Sequence, residues 1–167
     1  MGSLGSSSVN ELMKSALKDV NDDLQFLYVC GKDNSQDLNL FENQKNIHVV
    51  PYVDTLRIYG HVDGMVCRAG ATTLAEVTAL GIPSIVIPSP YVANNHQFYN
   101  ASMLLKKQAC RIIEEKDLNA DAFVEVVDQY MNNEEMRKEL SKKALALGKP
   151  HACEDIYKEI LKLTGGR

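Results

Sequence analysis

The residues with the most chemical potential lie in one stretch, residues 67–83, which reads CRAGATTLAEVTALGIP. Its turn begins with three small residues, Ala-Gly-Ala, and continues with two threonines. The N-terminus of a helix carries unpaired N–H groups and a partial positive charge, so a bare turn in front of it lets a phosphate approach. Thr73 and Glu76 have the spacing of a capping box, and Gly81 predicts the helix end. The stretch therefore predicts an anion-binding turn between a strand and a short helix.

A second bare loop precedes another predicted helix. Residues 2–8 read GSLGSSS, and Ser8 with Glu11 has the spacing of a second capping box. The apolar side chains that follow recur every three or four residues and predict an amphipathic helix: Val9, Leu12, Met13, Ala16, Leu17 and Val20. The position of the loop directly before this helix favours phosphate contact. A glycine-rich and serine-rich N-terminus without a ligand is the alternative interpretation.

Short apolar runs alternate with amphipathic segments along the rest of the chain. Strands are predicted at residues 24–30, 46–50, 62–67, 84–88 and 109–113, and helices at residues 55–60, 96–107, 119–131, 134–147 and 152–163. Asn94 or Asn95 is predicted to cap the helix that begins at residue 96. This alternation predicts one α/β domain over residues 1–167, with a Rossmann-like, open, mainly parallel sheet, flanking helices and a frayed tail at residues 165–167.

The predicted fold also places the ligand and raises a question about the first strand. Ligands of such sheets bind at the carboxyl ends of the strands, where both bare loops would lie. A strand should precede the first glycine loop, but the sequence begins at that loop. We therefore expect the first strand to be missing and the chain to be the back half of a longer enzyme.

Charge, cysteine spacing and hydropathy argue against several classes of protein. The net charge is -4 and no basic cluster could follow a phosphate backbone, so nucleic acid is not expected as a partner. The four cysteines lie far apart and outside zinc-binding spacings, which argues against a metal site, and three of them end or sit within apolar runs, which predicts reduced, packed thiols. No segment has the length of a membrane span, and the N-terminus lacks the order of a signal peptide. These features predict a cytoplasmic protein and leave contact with a membrane surface open.

Four motifs resemble the C-terminal, donor-binding half of the MurG family. They are GSLG at residues 2–5, PYVD at residues 51–54, CRAGATTLAE at residues 67–76, and NNHQ at residues 94–97 with Asn100 and Ala101. This family transfers N-acetylglucosamine from UDP onto the undecaprenyl-diphosphate-linked muramoyl peptide of peptidoglycan synthesis, from lipid I to lipid II. The resemblance implies a two-lobed GT-B enzyme at the inner face of the bacterial cell membrane. This half would hold the nucleotide sugar, and a missing N-terminal lobe would hold the lipid-linked acceptor.

The resemblance also implies a role for individual residues. The diphosphate would contact Gly2, Ser3, Leu4, Gly5, Ala71, Thr72 and Thr73, uracil would contact Tyr52 and Val53, the ribose would contact Glu76, and the sugar would contact His96 and Gln97. No catalytic base is expected in this chain, because the candidate base of the family lies in the other lobe. No cofactor and no tightly bound metal are expected beside the substrate UDP-N-acetylglucosamine. The isolated chain is expected to be inactive.

Simpler roles remain open for several of these residues. Spacing alone favours Glu76 as a capping residue, and His96 and Gln97 could be solvated residues of a first helical turn. Arg68 could lie near the diphosphate or only brace the loop. The chain could also be a short transferase subunit that needs a separate membrane partner, another GT-B UDP-sugar enzyme such as an epimerase or glycolipid synthase, or a non-catalytic nucleotide-binding module.

Overall fold

The computed structural model describes residues 7–165, apart from the side chain of Ser35. The strands are β1 (Phe26–Val29), β2 (Ile47–Val50), β3 (Met65–Cys67), β4 (Ser84–Val86) and β5 (Arg111–Ile112). The α-helices are α1 (Ser7–Ala16), α2 (Thr55–Ile58), α3 (Ala71–Leu80), α4 (His96–Lys106), α5 (Ala120–Met131), α6 (Glu134–Leu145) and α7 (Ala152–Leu163). Short 3-10 helices cover Lys32–Asp37, Tyr59–His61, Ala93–Asn95 and Glu115–Asp117. The predicted contacts at Gly2, Ser3, Leu4 and Gly5 lie outside the described residues.

The strands form two parallel sheets. β1 pairs with β2, with Phe26 opposite Ile47. The second sheet has the order β3-β4-β5, with Met65 opposite Ser84 and with β5 also parallel to β4. The predicted α/β class with parallel pairing and flanking helices is confirmed. Within residues 7–165, no strand pairing joins the two sheets.

The hydrophobic core covers both faces of the three-stranded sheet. On one face, α1 and α5 pack together and bury Val9, Met13, Leu17, Phe123, Val127 and Tyr130 against β1, β4 and the residue after β4. On the other face, α3 and α4 bury a second cluster around Leu74 and Ala101. Ile85 belongs to the first cluster and its neighbour Val86 to the second, as the alternation of side chains along a strand requires. The two layers of helices hold the loops at the strand ends in place.

Both predicted capping boxes are wrong, because each helix begins earlier than the pattern indicated. α3 begins at Ala71 with Gly70 at the N-cap, so Thr73 lies inside the first turn and Glu76 lies one turn further on. α1 begins at Ser7, and the hydroxyl of Ser8 donates to the carboxylate of Glu115. Glycine is itself a favourable N-cap residue, which explains the earlier start of α3.

An asparagine stands at the N-cap of α4, as predicted. It is Asn95, and its side chain makes no capping hydrogen bond. Its backbone is left-handed, with φ of 49°, and so is that of Asn94, with φ of 53°. Asparagine is one of the few residues that adopt this conformation at low cost. The two residues therefore shape the chain before α4 through their backbone and not through a side-chain cap.

Three of the four cysteines are packed, as the sequence predicts. Cys30, Cys67 and Cys110 are buried as free thiols, whereas Cys153 is exposed. Burial raises the pKa of the Cys67 thiol to about 12 and that of Cys110 to about 11. In the part of the chain that the structure describes, no helix is both long and apolar enough to cross a membrane.

Candidate functional site

A cleft with a volume of about 1350 Å³ runs along β1 and β3 and reaches the segments that follow β2, β3 and β4 at their carboxyl ends. Five of the residues that the resemblance assigned to the nucleotide sugar line it, from three separate segments: Tyr52, Val53, Thr73, Glu76 and Gln97. Three other assigned residues, Ala71, Thr72 and His96, are exposed and are not part of the lining. Ser7 and Ser8 line the same cleft, so the first turn of α1 and the first turn of α3 meet at one site.

The N-terminus of α3 is open toward this cleft. Gly70 is the N-cap and makes no side-chain capping bond, and the first turn contains no acidic residue. The first N–H groups of a helix have no partner within the helix and attract anions. Gly70 has an ordinary φ of -64°, and an added Cβ would meet only the Thr73 hydroxyl at 3.8 Å. The described residues therefore leave room for a side chain at position 70. A ligand that approaches the backbone closely would be a reason for glycine at this position.

Two side chains of α4 hold the turn in front of α3. The side-chain oxygen of Gln97 accepts hydrogen bonds from the backbone N–H groups of Ala69 at 3.2 Å and Ser89 at 3.0 Å. Asn100 donates to the backbone oxygen of Ala69 at 3.1 Å. Only the oxygen of the Gln97 amide group can accept hydrogen bonds, so the bonds from Ala69 and Ser89 fix the orientation of this amide group. Gln97 thus joins the loops after β3 and β4, a role that the sequence did not indicate.

Glu76 is held by a buried tyrosine. The hydroxyl of Tyr59 donates to one carboxylate oxygen of Glu76 at 2.8 Å. Burial is the main cause that raises the pKa of Tyr59, and the Glu76 carboxylate raises it further, so the phenol stays protonated and remains a donor. This contact, together with the position of Glu76 beyond the first turn, excludes the capping interpretation. The hydrogen bond from Tyr59 occupies one carboxylate oxygen of Glu76, and the Glu76 side chain lines the cleft.

The segment after β2 forms the side of the cleft that the resemblance assigned to uracil. Tyr52 is exposed, and the ammonium group of Lys32 lies 4.8 Å from the centroid of its ring. Such a cation–π contact at an exposed site contributes about 0.5–1 kcal/mol. Val53 follows, partly buried, before α2 begins at Thr55. Lys32 was not singled out in the sequence because its partner lies in another element.

Arg68 braces the loop between β3 and α3. Its guanidinium group donates to the carboxylate of Glu115 at 2.7 Å and to the backbone oxygen of Ile87 at 3.1 Å. The side chains of Arg68 and Glu115 are only 10% and 9% exposed, so the ion pair is largely shielded from water. Ser8 donates to the other oxygen of Glu115. Glu115 therefore ties the first turn of α1 to the end of β3, which brings the two helix starts together.

The histidines of the described chain lie at the surface. His48, His61 and His151 are exposed, and His48 and His61 line the cleft. His96 is exposed at the start of α4, and its Nδ1 lies 3.0 Å from the backbone oxygen of Ala93. A carbonyl oxygen can only accept, so this contact places the proton on Nδ1.

Parallel sheets between two layers of helices, with helix starts meeting at the carboxyl ends of the strands, define the chain as a lobe of a GT-B glycosyltransferase. The model of the family described as "Glycosyltransferase family 28 C-terminal domain" matches residues 1–159, and the chain belongs to this family.

Curated relatives from Pediococcus pentosaceus and Listeria monocytogenes carry the same name, UDP-N-acetylglucosamine–N-acetylmuramyl-(pentapeptide) pyrophosphoryl-undecaprenol N-acetylglucosamine transferase. The chain is 36% identical over 167 residues to that of Pediococcus pentosaceus, covering 96% of this chain and 46% of the relative. It is 40% identical over 171 residues to that of Listeria monocytogenes, covering 97% and 46%. The chain thus spans about half the length of the curated relatives it matches.

Solved structures show the same fold. MurG of Acinetobacter baumannii superposes with a TM-score of 0.83 at 27% identity, over 96% of this chain and 48% of the other. The calicheamicin glycosyltransferase CalG4 superposes with a TM-score of 0.70 at 13% identity, over 97% and 41% of the two chains. The similarity to CalG4 shows only that the fold is shared.

Proposed function

We propose that this chain is the donor-binding lobe of a transferase that moves N-acetylglucosamine from UDP-N-acetylglucosamine onto undecaprenyl-diphosphate-linked muramoyl peptide, the step from lipid I to lipid II. The names of the relatives supply this reaction. The observation that carries the proposal is the meeting of two helix starts in one cleft, with Glu76 held beside them by Tyr59. An N-terminal lobe, as in the longer relatives, would hold the lipid-linked acceptor at the inner face of the bacterial cell membrane.

In this proposal the first turns of α1 and α3 bind the diphosphate. Their N–H groups and helix dipoles stabilise negative charge, and that charge increases on UDP as the sugar leaves. Ala71, Thr72 and Thr73 supply the α3 side, and Gly2, Ser3, Leu4 and Gly5 supply the α1 side. Gly70 leaves the backbone accessible to the phosphate oxygens. A base from the other lobe would activate the acceptor hydroxyl, so this chain alone would bind the donor without transferring the sugar.

The remaining contacts would orient the nucleoside and the sugar. The carboxylate of Glu76 can accept hydrogen bonds from the neighbouring hydroxyls of the ribose, and bonds to a charged acceptor contribute about 1.5–3 kcal/mol each. Tyr52 and the backbone of Val53 would contact uracil. His96 and the amide nitrogen of Gln97 would contact the N-acetylglucosamine, because the oxygen of Gln97 is already engaged by two backbone N–H groups.

Isothermal titration calorimetry of the 167-residue chain tests this proposal. We expect UDP and UDP-N-acetylglucosamine to bind, and UDP-N-acetylglucosamine to bind more tightly than UDP-glucose. Binding of both UDP-sugars with equal affinity would favour another UDP-sugar enzyme of the same fold. Failure of all three ligands to bind would contradict the nucleotide site itself.

A further inference from the structure

Residues 77–113 contain no acidic residue, although the chain has 22 aspartates and glutamates. This stretch covers β4, α4 and β5, and it also contains Lys106, Lys107 and Arg111. The chain as a whole has a net charge of -4, so its negative charge lies in other segments. The positive charge along α4 is therefore not neutralised by residues of its own segment.

Lys106 and Lys107 stand at the end of α4, and both are exposed. Among residues 7–165, no ion pair involves either of them. A lysine in the last turn stabilises a helix through its dipole, which accounts for Lys106 but does not require a second lysine at the C-cap. The two ammonium groups can therefore pair with an external anion.

A second pair of lysines, on α6, lies beside the end of α4. The ammonium group of Lys143 donates to the side-chain oxygen of Gln108 at 3.0 Å, and Lys142 is exposed. Lys143 also lies 3.9 Å from the carboxylate of Glu139 on the same helix, but solvent screens such a pair and its contribution is small. The ends of the two helices thus form one group, which we call the lysine cluster: Lys106, Lys107, Lys142 and Lys143.

The face of α4 beside the lysine cluster is apolar. Tyr99 and Met103 are four residues apart and Lys106 follows three residues later, so the three side chains share one side of the helix. Tyr99 is 65% exposed and Met103 is 59% exposed. The ring of Phe98 packs edge-on against Tyr99, with the ring centroids 6.1 Å apart. Exposed tyrosine and other apolar side chains next to lysine are typical of a helix that lies in a membrane interface.

We propose that this face of α4 docks on a membrane surface that contains anionic lipids. The lysine cluster would pair with the headgroup phosphates, and Tyr99 and Met103 would enter the interface beside them. Lysine can keep its ammonium group in water while its aliphatic stem contacts an apolar surface. A nucleic acid is a poorer partner, because its phosphates continue along a strand whereas the lysine cluster is confined to the ends of two helices.

Docking along α4 would also set the position of the candidate site. Gln97, in the first turn of α4, lines the cleft, and the 11 residues of α4 span about 16 Å. A helix that lies on the membrane would therefore hold the cleft close to the lipid headgroups, where a lipid-linked acceptor would be found. This consequence rests on the proposed function, whereas the lipid contact itself does not.

Sedimentation of the full chain with lipid vesicles tests the proposal. We expect binding to phosphatidylcholine vesicles with about 30% phosphatidylglycerol to be at least about tenfold tighter than binding to phosphatidylcholine alone. Lys106→Glu combined with Lys107→Glu should weaken binding to the anionic vesicles by at least about tenfold. The matched control, Lys18→Glu with Lys45→Glu, changes two other exposed lysines and the net charge equally, and should weaken it by less than about threefold. Equal binding by the two charge variants, or no preference of the parent chain for anionic vesicles, would overturn the proposal.

A fluorescent reporter gives a second readout that keeps all the lysines. The sequence contains no tryptophan, so Tyr99→Trp introduces a single reporter on α4. Tyr157→Trp on α7 is the matched control, because Tyr157 is 60% exposed. With anionic vesicles, we expect the emission of the Tyr99→Trp chain to move to shorter wavelength and brominated lipid to quench it at least about twofold, with no such change in the control. A response from the α7 reporter alone would assign the lipid contact to another surface and overturn the proposal.

Poly-L-glutamate distinguishes an acidic protein from a lipid surface as the partner. Binding of the parent chain to poly-L-glutamate, without binding to the anionic vesicles, would assign the lysine cluster to an acidic protein and overturn the lipid contact. None of these measurements uses a nucleotide, so their outcome is independent of the proposed donor site.

Discussion

The residues before α3 and the residues before α4 are held by different interactions. At α3, the backbone of Ala69 is fixed by Gln97 and Asn100, and Glu76 is fixed by Tyr59. At α4, Asn94 and Asn95 are exposed, adopt the left-handed conformation in succession, and make no side-chain cap. One helix start is held by side chains from distant elements, and the other depends on the backbone preference of two asparagines.

This difference suggests a division of roles within the site. Partners from other elements pre-organise the α3 side, where the nucleotide is proposed to bind, so changes there should affect stability and affinity together. Asn94 and Asn95, which precede α4, should tolerate substitution better, since no side-chain capping bond of Asn95 would be lost. The following predictions challenge this comparison in order of decreasing effect.

The largest effect is expected from Gln97→Ala. This substitution leaves the N–H groups of Ala69 and Ser89 without their acceptor, and Ala69 is fully buried. An unsatisfied buried donor costs about 1–3 kcal/mol, so we expect a loss of roughly 2–4 kcal/mol in the free energy of unfolding. Thermal melting should show a decrease in Tm of roughly 5–15 °C, with UDP affinity at least about tenfold weaker.

The matched control for Gln97→Ala is Gln129→Ala on α5. Gln129 is a glutamine that bonds to Glu125 in an exposed pair on the same helix. Its removal should change Tm by less than about 2 °C. The comparison would be broken if the two alanine variants melted at the same temperature, because Gln97 would then contribute no more than a surface glutamine.

A smaller effect on stability, but a clear effect on affinity, is expected from Glu76→Gln. The amide oxygen can still accept the hydrogen bond from Tyr59, so Tm should stay within about 3 °C of the parent chain. The loss of the charged acceptor for the ribose should weaken binding of UDP and UDP-N-acetylglucosamine by at least about tenfold. Calorimetric titration measures this change.

Two further variants sharpen the result for Glu76. Tyr59→Phe keeps the carboxylate but removes its hydrogen-bond partner, so affinity should fall by only about threefold. Glu139→Gln alters an exposed carboxylate of α6 and should leave affinity unchanged. If Glu76→Gln bound UDP as tightly as the parent chain, the ribose role of Glu76 would have to be abandoned.

Local patterns predicted most of the elements but not their starting points. The apolar run at residues 24–30 and the stripe of α5 identify their elements because burial imposes a period on the sequence. The start of α3 was placed late, because a threonine with the correct spacing competed with a glycine that also caps well. Spacing alone does not decide between two good N-cap residues one turn apart.

The contacts that organise the site could not be predicted for a different reason. Tyr59 reaches Glu76 across 17 positions of sequence, Ala69 reaches Gln97 across 28, and Arg68 reaches Glu115 across 47. Periodicity reports which face of an element is buried and contains no information on which polar side chain lies opposite. The resemblance assigned Glu76 and Gln97 to the candidate site, but the partners that position them emerged only from the packing of the elements.

The smallest effect is expected at Asn95, and it tests the α4 side of the comparison. Alanine disfavours the left-handed backbone of residue 95, whereas glycine adopts it freely. Asn95→Ala should therefore lower Tm by roughly 2–4 °C, and Asn95→Gly should lower it by less than about 1 °C. UDP affinity should change by less than about threefold in both variants. If glycine destabilised the chain as much as alanine does, the asparagine side chain would make a contribution of its own, and the contrast between the two helix starts would no longer hold.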